Sequence, residues 1–301
     1  MINLRAFIAA PSVGITSVII FIASSFWGLY WIPLRYLEGE GVAGGWAIAS
    51  LNLPAVLVLL PLVIWQWQQH RQQFLHCILI GVLTGLGMAL YTSGLVYSSV
   101  VRATLLFYLT PAWATLIGIL WLGEKATWQR WVAIAIGLTG LGLLVSGGGA
   151  VPLNIGDLFA LLAGLFWAIG AAVIKHYDTV PLPGMTMFQF FFASLSAILL
   201  GFLMGNFQPP SLDVVLPVIP LSALISLIII LPSVWLIFWA QKFLFPGRVG
   251  LLMMSEVLMA VVSASIFLPE EAMSLMAWCG AVLIIAACFI EVFSTPKEFE
   301  G

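Results

Sequence analysis

Residues 248–270 read RVGLLMMSEVLMAVVSASIFLPE, with a charge at either end and one carboxylate, Glu256, inside an otherwise apolar run. Without Glu256 the segment is long and apolar enough to cross a lipid bilayer; with it, the crossing carries an acid toward the midplane. At 1.5 Å per helical residue Glu256 lies about 12 Å along the axis from Arg248 and about 21 Å from Glu270, in a hydrocarbon layer about 30 Å thick. An unpaired charge at that depth costs about 2.5–3.5 kcal/mol on insertion scales, so such residues face a cavity or a partner rather than lipid. Counted as a crossing, this segment makes the total even and puts both chain ends on one side.

The rest of the chain has the same character. Of 301 residues 62% are hydrophobic and 7% charged, against about 25% charged in a soluble domain. Residues 6–34, 41–70, 72–101, 103–123, 131–156, 158–174, 179–212, 214–241 and 272–290 contain no Asp, Glu, Lys or Arg, and a spanning helix needs about 20 residues. With the segment around Glu256 the expectation is an all-α integral membrane protein of ten transmembrane helices, with no separate soluble domain. The apolar stretch after Arg5 runs directly into further spans and reads as the first helix rather than a cleaved leader. Arg5, Arg71, Lys125, Arg130, Lys175, Lys242, Arg248 and Lys297 then share the side of the termini, and only Arg35 and Arg102 lie opposite. That bias places both termini in the cytoplasm, with the protein in the inner or plasma membrane.

Two internal matches divide the chain. Phe26-Trp27 followed by Arg35 corresponds, at an offset of 140, to Phe166-Trp167 followed by Lys175. Residues 102–126 align with 248–272 at an offset of 146, matching Arg102/Arg248, Leu105/Leu251, Leu106/Leu252, Ala114/Ala260, Leu122/Leu268, Glu124/Glu270 and Ala126/Ala272. Five helices per copy is an odd number, so repeats over 1–150 and 151–301 must cross in opposite directions. Inverted repeats of this kind are typical of secondary transporters, which hold their solute near the midplane between the copies.

The stretch LLFYLTPAWATLIGILWLGEKATWQRWVAIAIGLTGLGLL (105–144) resembles the fourth and fifth helices of EamA-type transporters of the drug/metabolite transporter superfamily, with Pro111, Gly123-Glu124, Gly137 and Gly140 at the family's positions. SEVLMAVVSASIFLPEE (255–271) resembles the matching element of the second half, although Val257 stands where the family has Pro and Pro269 where it has Gly. Val257 in that place implies a straighter ninth helix. FWGLYWIPLRYLEGEGVAGG (26–45) is similar to the family's opening, most of all in its aromatic amino-acid exporter branch. The resemblance covers nearly the whole chain; it implies metabolite transport and a functional role for Glu256, since the family often carries Glu there.

Other chemistries fare worse. A net charge of −2 offers no broad basic surface for nucleic acid, and Gly137, Gly140 and Gly142 lack phosphate-loop spacing and suit helix packing. A single deep carboxylate without a base, nucleophile or grouped metal ligands argues against an enzyme, and nothing calls for a cofactor or metal. His70, His76 and His176 fall at expected cytoplasmic ends, and Cys77, Cys279 and Cys288 read as small buried residues. Glu124 reads as an acid at a helix start, favoured by the dipole.

The candidate solute contacts are Trp27, Tyr30, Asn52, Tyr91, Tyr108, Thr110, Trp167, Gln189 and Glu256. Trp27 and Tyr30 share a helix face at i, i+3; with Tyr91, Tyr108 and Trp167 they either line a cavity or simply pack helices. Asn52, Thr110 and Gln189 are deep polar groups that meet a solute or bridge helices. Glu256 is the candidate for proton coupling, or for pairing with a cationic solute. The alternative for it is a structural hydrogen bond between helices. The expected partners are therefore the bilayer, a small organic solute and protons. Efflux of an amino acid or related amine is the leading expectation, a choline-like quaternary amine the second, a membrane-embedded enzyme the third.

Cytoplasmic termini are directly checkable. In a variant lacking the native cysteines, single cysteines at positions 3 and 299 are expected to stay unlabelled by an impermeant thiol reagent in intact cells; labelling from outside refutes the topology.

Overall fold

The computed structural model describes residues 11–98, 103, 106–145, 154–205, 208–267 and 274–293. Arg5, Arg102, Leu105, Leu268, Pro269, Glu270, Glu271, Ala272 and Lys297, with both termini, lie outside the described residues. Among the described residues the protein is helical, without strands. Its main helices are α1 (Val13–Trp27), α2 (Trp31–Gly39), α3 (Gly45–Trp65), α4 (Phe74–Tyr97), α5 (Thr110–Leu122), α6 (Trp128–Val145), α7 (Ile155–His176), α8 (Leu182–Leu203), α9 (Leu212–Ile225), α10 (Leu231–Gln241), α11 (Pro246–Met253), α12 (Ser255–Phe267) and α13 (Leu275–Phe293). Six stretches, Val13–Gly39, Gly45–Trp65, Trp67–Gly94, Ile155–His176, Leu182–Leu203 and Leu212–Gln241, are long and apolar enough to cross a membrane; Thr110–Leu122 and Trp278–Glu291 are shorter apolar helices. This is a multi-pass membrane protein.

The main helix contacts run between the two halves of the chain. Helix α4 packs against α7 and α8, α3 against α8, α5 against α7 and α11, α6 against α13, and α1 against α10 and α12. Three of these contacts survive exchange of the halves in the sequence register. The α5–α7 contact becomes α12–α1, α4–α7 becomes α10–α1, and α6–α13 maps onto itself. Small residues permit these approaches. A Cβ on Gly85 of α4 would lie 2.7 Å from the Ala193 nitrogen of α8, and one on Gly140 of α6 would lie 2.7 Å from the Gly280 oxygen of α13.

Several helices are interrupted. Gly28, Leu29 and Tyr30 form a turn between α1 and α2, Met254 separates α11 from α12, and Tyr108 and Leu109 form a turn just before α5. Tyr108 and Met254 correspond at the offset of 146, so the interruptions just before α5 and α12 fall at equivalent places. Val257 does not make α11 and α12 one continuous helix, because the break at Met254 lies three residues before it. Helix α5 ends at Gly123, whose left-handed φ of 67° lets Glu124 donate its N–H to the Gly118 carbonyl at 2.9 Å.

That cap turns Glu124 into the bundle instead of leaving it at an exposed helix start. Its carboxylate pairs with Arg130. Arg130 meets Glu291 of α13 through Nη2–Oε1 at 2.9 Å and Nε–Oε2 at 3.4 Å, a forked pair. Arg248 of α11 reaches Glu291 at 3.9 Å and donates from Nε to the Ser17 hydroxyl of α1 at 2.9 Å. Two arginines and two carboxylates, all buried, thus tie α1, α6, α11 and α13 together with the turn after α5. At the opposite end Ser98 donates to Asp157, itself in a capping box with Asn154 at the start of α7, and Trp31 Nε1 donates to Ser263 at 3.0 Å. His70 is fully buried, with Nδ1 2.9 Å from the Gln66 carbonyl, while Cys279 is exposed rather than buried.

Removing one member of a buried ion cluster leaves its partners uncompensated, at about 3–5 kcal/mol. Glu291→Ala is expected to lose stability on that scale in reversible detergent unfolding. Glu291→Ala with Arg248→Met is expected to lose less than the sum of the two single changes; strict additivity contradicts the network.

Candidate functional site

Glu256 occupies the first turn of α12, just past the Met254 break, where the helix dipole favours a carboxylate. The Tyr108 hydroxyl lies against it and 3.4 Å from the Met253 carbonyl oxygen. Gly28 lets α1 approach this turn. A Cβ there would overlap the Glu256 carbonyl oxygen and sit 2.9 Å from the Met259 Cβ.

A small cavity is lined by Trp27 of α1, Met88 and Tyr91 of α4, Phe107, Trp167 of α7, Met253 of α11 and Glu256. It has room for about one water, so a larger solute enters only when the surrounding helices part. The wall is aromatic. Tyr91 and Phe107 stack at 4.3 Å between centroids, and Trp27 stacks on Tyr30 at 5.1 Å. Tyr30 therefore supports the wall from behind. Glu256 is the one acid of the lining. The register seen in the sequence reappears here: Trp27 corresponds to Trp167 at the offset of 140, and Phe107 to Met253 at 146. Both pairs line the cavity, which sits where the two halves contribute matching residues.

Of the nine sequence candidates, Trp27, Tyr91, Trp167 and Glu256 meet at the cavity, with Tyr30 and Tyr108 directly behind it. The other three are absent from the lining. Asn52 donates from Nδ2 to its own helix at the Ile48 carbonyl, 2.9 Å away, with its side chain beside the Tyr30 hydroxyl. Thr110 donates to the Phe107 carbonyl and touches Gly164 of α7. Gln189 is buried on α8 where Gly85 of α4 packs. Met88, Phe107 and Met253 line the cavity without being among the nine. Phe107 had a signal, being the register partner of Met253 beside Glu256; Met88 had none, one methionine in an apolar run resembling any other.

A family model described as the EamA-like transporter family matches residues 14–146 and again 154–293. The chain belongs to the EamA-like transporter family. The two matched segments leave residues 147–153 between them. Among relatives, the S-adenosylmethionine uptake transporter of Rickettsia bellii (strain RML369-C) is 29% identical over 145 residues, 47% of this chain and 48% of that one. That of Rickettsia felis (strain ATCC VR-1525 / URRWXCal2) is 34% identical over 88 residues, 28% of this chain and 30% of the other. The matches therefore span about half or less of the length of these relatives. A crystal structure of a protein superposes with a TM-score of 0.70 at 20% identity, covering 91% of this chain and 95% of that one. At that identity the likeness speaks for the fold alone.

The close contact at Gly28 gives a test of this EamA-like site. Gly28→Ala is expected to lower stability by about 1–3 kcal/mol through overpacking. Gly14→Ala, near the start of α1 with nothing within 4 Å of the added carbon, is expected to be neutral or slightly stabilising. Equal thermal stabilities for the two variants contradict the α1–α12 approach.

Proposed function

We propose that this protein is a secondary transporter that carries a small organic solute, bearing a cationic group and a flat ring, across the membrane by alternating access. The observation that supports this most is the cavity itself: one carboxylate inside a ring of aromatic side chains, formed from matching positions of the two halves. A cation over an aromatic face gains about 0.5–1 kcal/mol when exposed and about 2 kcal/mol or more when desolvated, and the carboxylate adds a direct charge partner. Met88 and Met253 give the wall flexible thioethers that accommodate more than one solute shape.

In this reading the chain forms ten crossings in two inverted repeats, 1–150 and 151–301, with both termini in the cytoplasm of the inner or plasma membrane. Amino acids and related amines meet the chemistry, in keeping with the resemblance to aromatic amino-acid exporters. S-adenosylmethionine, named for the Rickettsia relatives, meets it too, having a sulfonium centre, an ammonium group and a flat base. Choline presents the cation alone and is the second reading. Alternating access is reversible, so the gradient applied, rather than the pocket, decides between efflux and uptake. Glu256 is the proton-coupling group in this scheme.

Purified protein in sealed liposomes tests the proposal with labelled phenylalanine, S-adenosylmethionine and choline. At least one of the first two is expected to exchange across the bilayer chemically unchanged; failure of all three, or recovery of altered solute, refutes transport of this class. Folded Glu256→Gln is expected to lose accumulation driven by a pH gradient by at least about tenfold, on the scale of a lost charged contact. Wild-type accumulation by that variant removes the coupling role.

A further inference from the structure

Trp167 brings to the cavity a polar group that the proposed cation site leaves unused. Trp167 is 6% exposed and lines the cavity, and its indole Nε1–H has no hydrogen-bond partner among the described residues. A buried donor without an acceptor is costly and calls for an explanation, an absent ligand being one. Its register partner Trp27 is held differently, stacked on Tyr30 with ring planes 13° apart. The polar groups near Glu256 are already engaged: Tyr108 with Glu256 and the Met253 carbonyl, and Thr110 with the Phe107 carbonyl. Asn52 and Gln189, the expected donors for a solute carboxylate, do not line the cavity.

We infer that the Trp167 Nε1–H is the specificity-determining donor that receives the carboxylate of a zwitterionic solute, while Glu256 takes its ammonium group. The inference rests on the proposed solute class and narrows it from organic cations to compounds with an α-amino-acid head. Glu256 and Trp167 border a space about one water across. When the helices part, a head with both charges on one carbon is the shape that spans them. A decarboxylated solute satisfies Glu256 and leaves the indole N–H unpaired, so the site discriminates by penalty as well as by attraction.

The test compares wild type with Trp167→Phe, which keeps an aromatic face and removes the donor. The probes are L-phenylalanine against phenethylamine, and S-adenosylmethionine against its decarboxylated form, measured by counterflow in liposomes. The variant is expected to lose affinity for the carboxylate-bearing member of each pair by roughly ten- to hundredfold more than for the decarboxylated one. A loss equal for both members, or none, overturns the inference and leaves the transport proposal standing. Wild type that moves neither zwitterion nor amine refutes the transport proposal itself. Should Trp167→Phe not fold, competition on wild type decides: phenylalanine methyl ester is expected to compete at least about tenfold more weakly than phenylalanine, and equal competition overturns the inference.

Discussion

A bilayer supplies no water to a charge inside a helix bundle, so each charge in the interior must be answered by the protein. The arrangement of Glu124, Arg130, Arg248 and Glu291 follows from that constraint. Each arginine lies against a carboxylate, and the forked Arg130–Glu291 pair lies at the centre of the group. Because these four come from the turn after α5 and from α6, α11 and α13, balancing the charges also fixes the relative position of the two halves at that end. The Ser17 contact draws α1, which carries Trp27, into the same assembly. Glu256 is the exception. Its neighbours among the described residues are a phenol, thioethers and aromatic rings, without a cation, and that imbalance is what makes it suited to a mobile positive partner.

The interruptions in the helices serve the same cavity. The restart after Met254 puts Glu256 in the first turn of a helix, at the end of the dipole that favours a carboxylate. The equivalent break at Tyr108 brings Phe107 to the wall and the Tyr108 hydroxyl to the carboxylate. Gly28 completes the arrangement, since any larger residue there would hold α1 away from α12.

Much of this was legible in the sequence where signals were rare. In a chain with few charges, one glutamate in an apolar run stands out, and the Phe-Trp pairs at an offset of 140 led to both Trp27 and Trp167. The register also contained Phe107, although a phenylalanine beside a tyrosine reads as packing. The charge cluster was not legible. Glu124 resembled a helix-start acid and Glu291 the end of the last apolar run, and only tertiary packing shows that they share Arg130. Asn52, Thr110 and Gln189 are buried, but a polar residue within an apolar run does not tell which face of its helix looks toward a cavity. Cys279 misled for a related reason: lipid-facing and core-facing residues are equally apolar, so hydropathy separates neither.

The crossing of helix contacts from one half to the other bears on how the chain is made. Helices α3, α4 and α6 leave the ribosome before α7, α8 and α13 exist, yet those later helices are their principal neighbours. Until then the faces around Gly85 and Gly140 meet lipid or the insertion machinery. The first half is thus a set of inserted but unpartnered helices for as long as the second half takes to be synthesised. Assembly is a late, chain-wide event, and a truncation after α6 leaves no folded remnant with a core of its own.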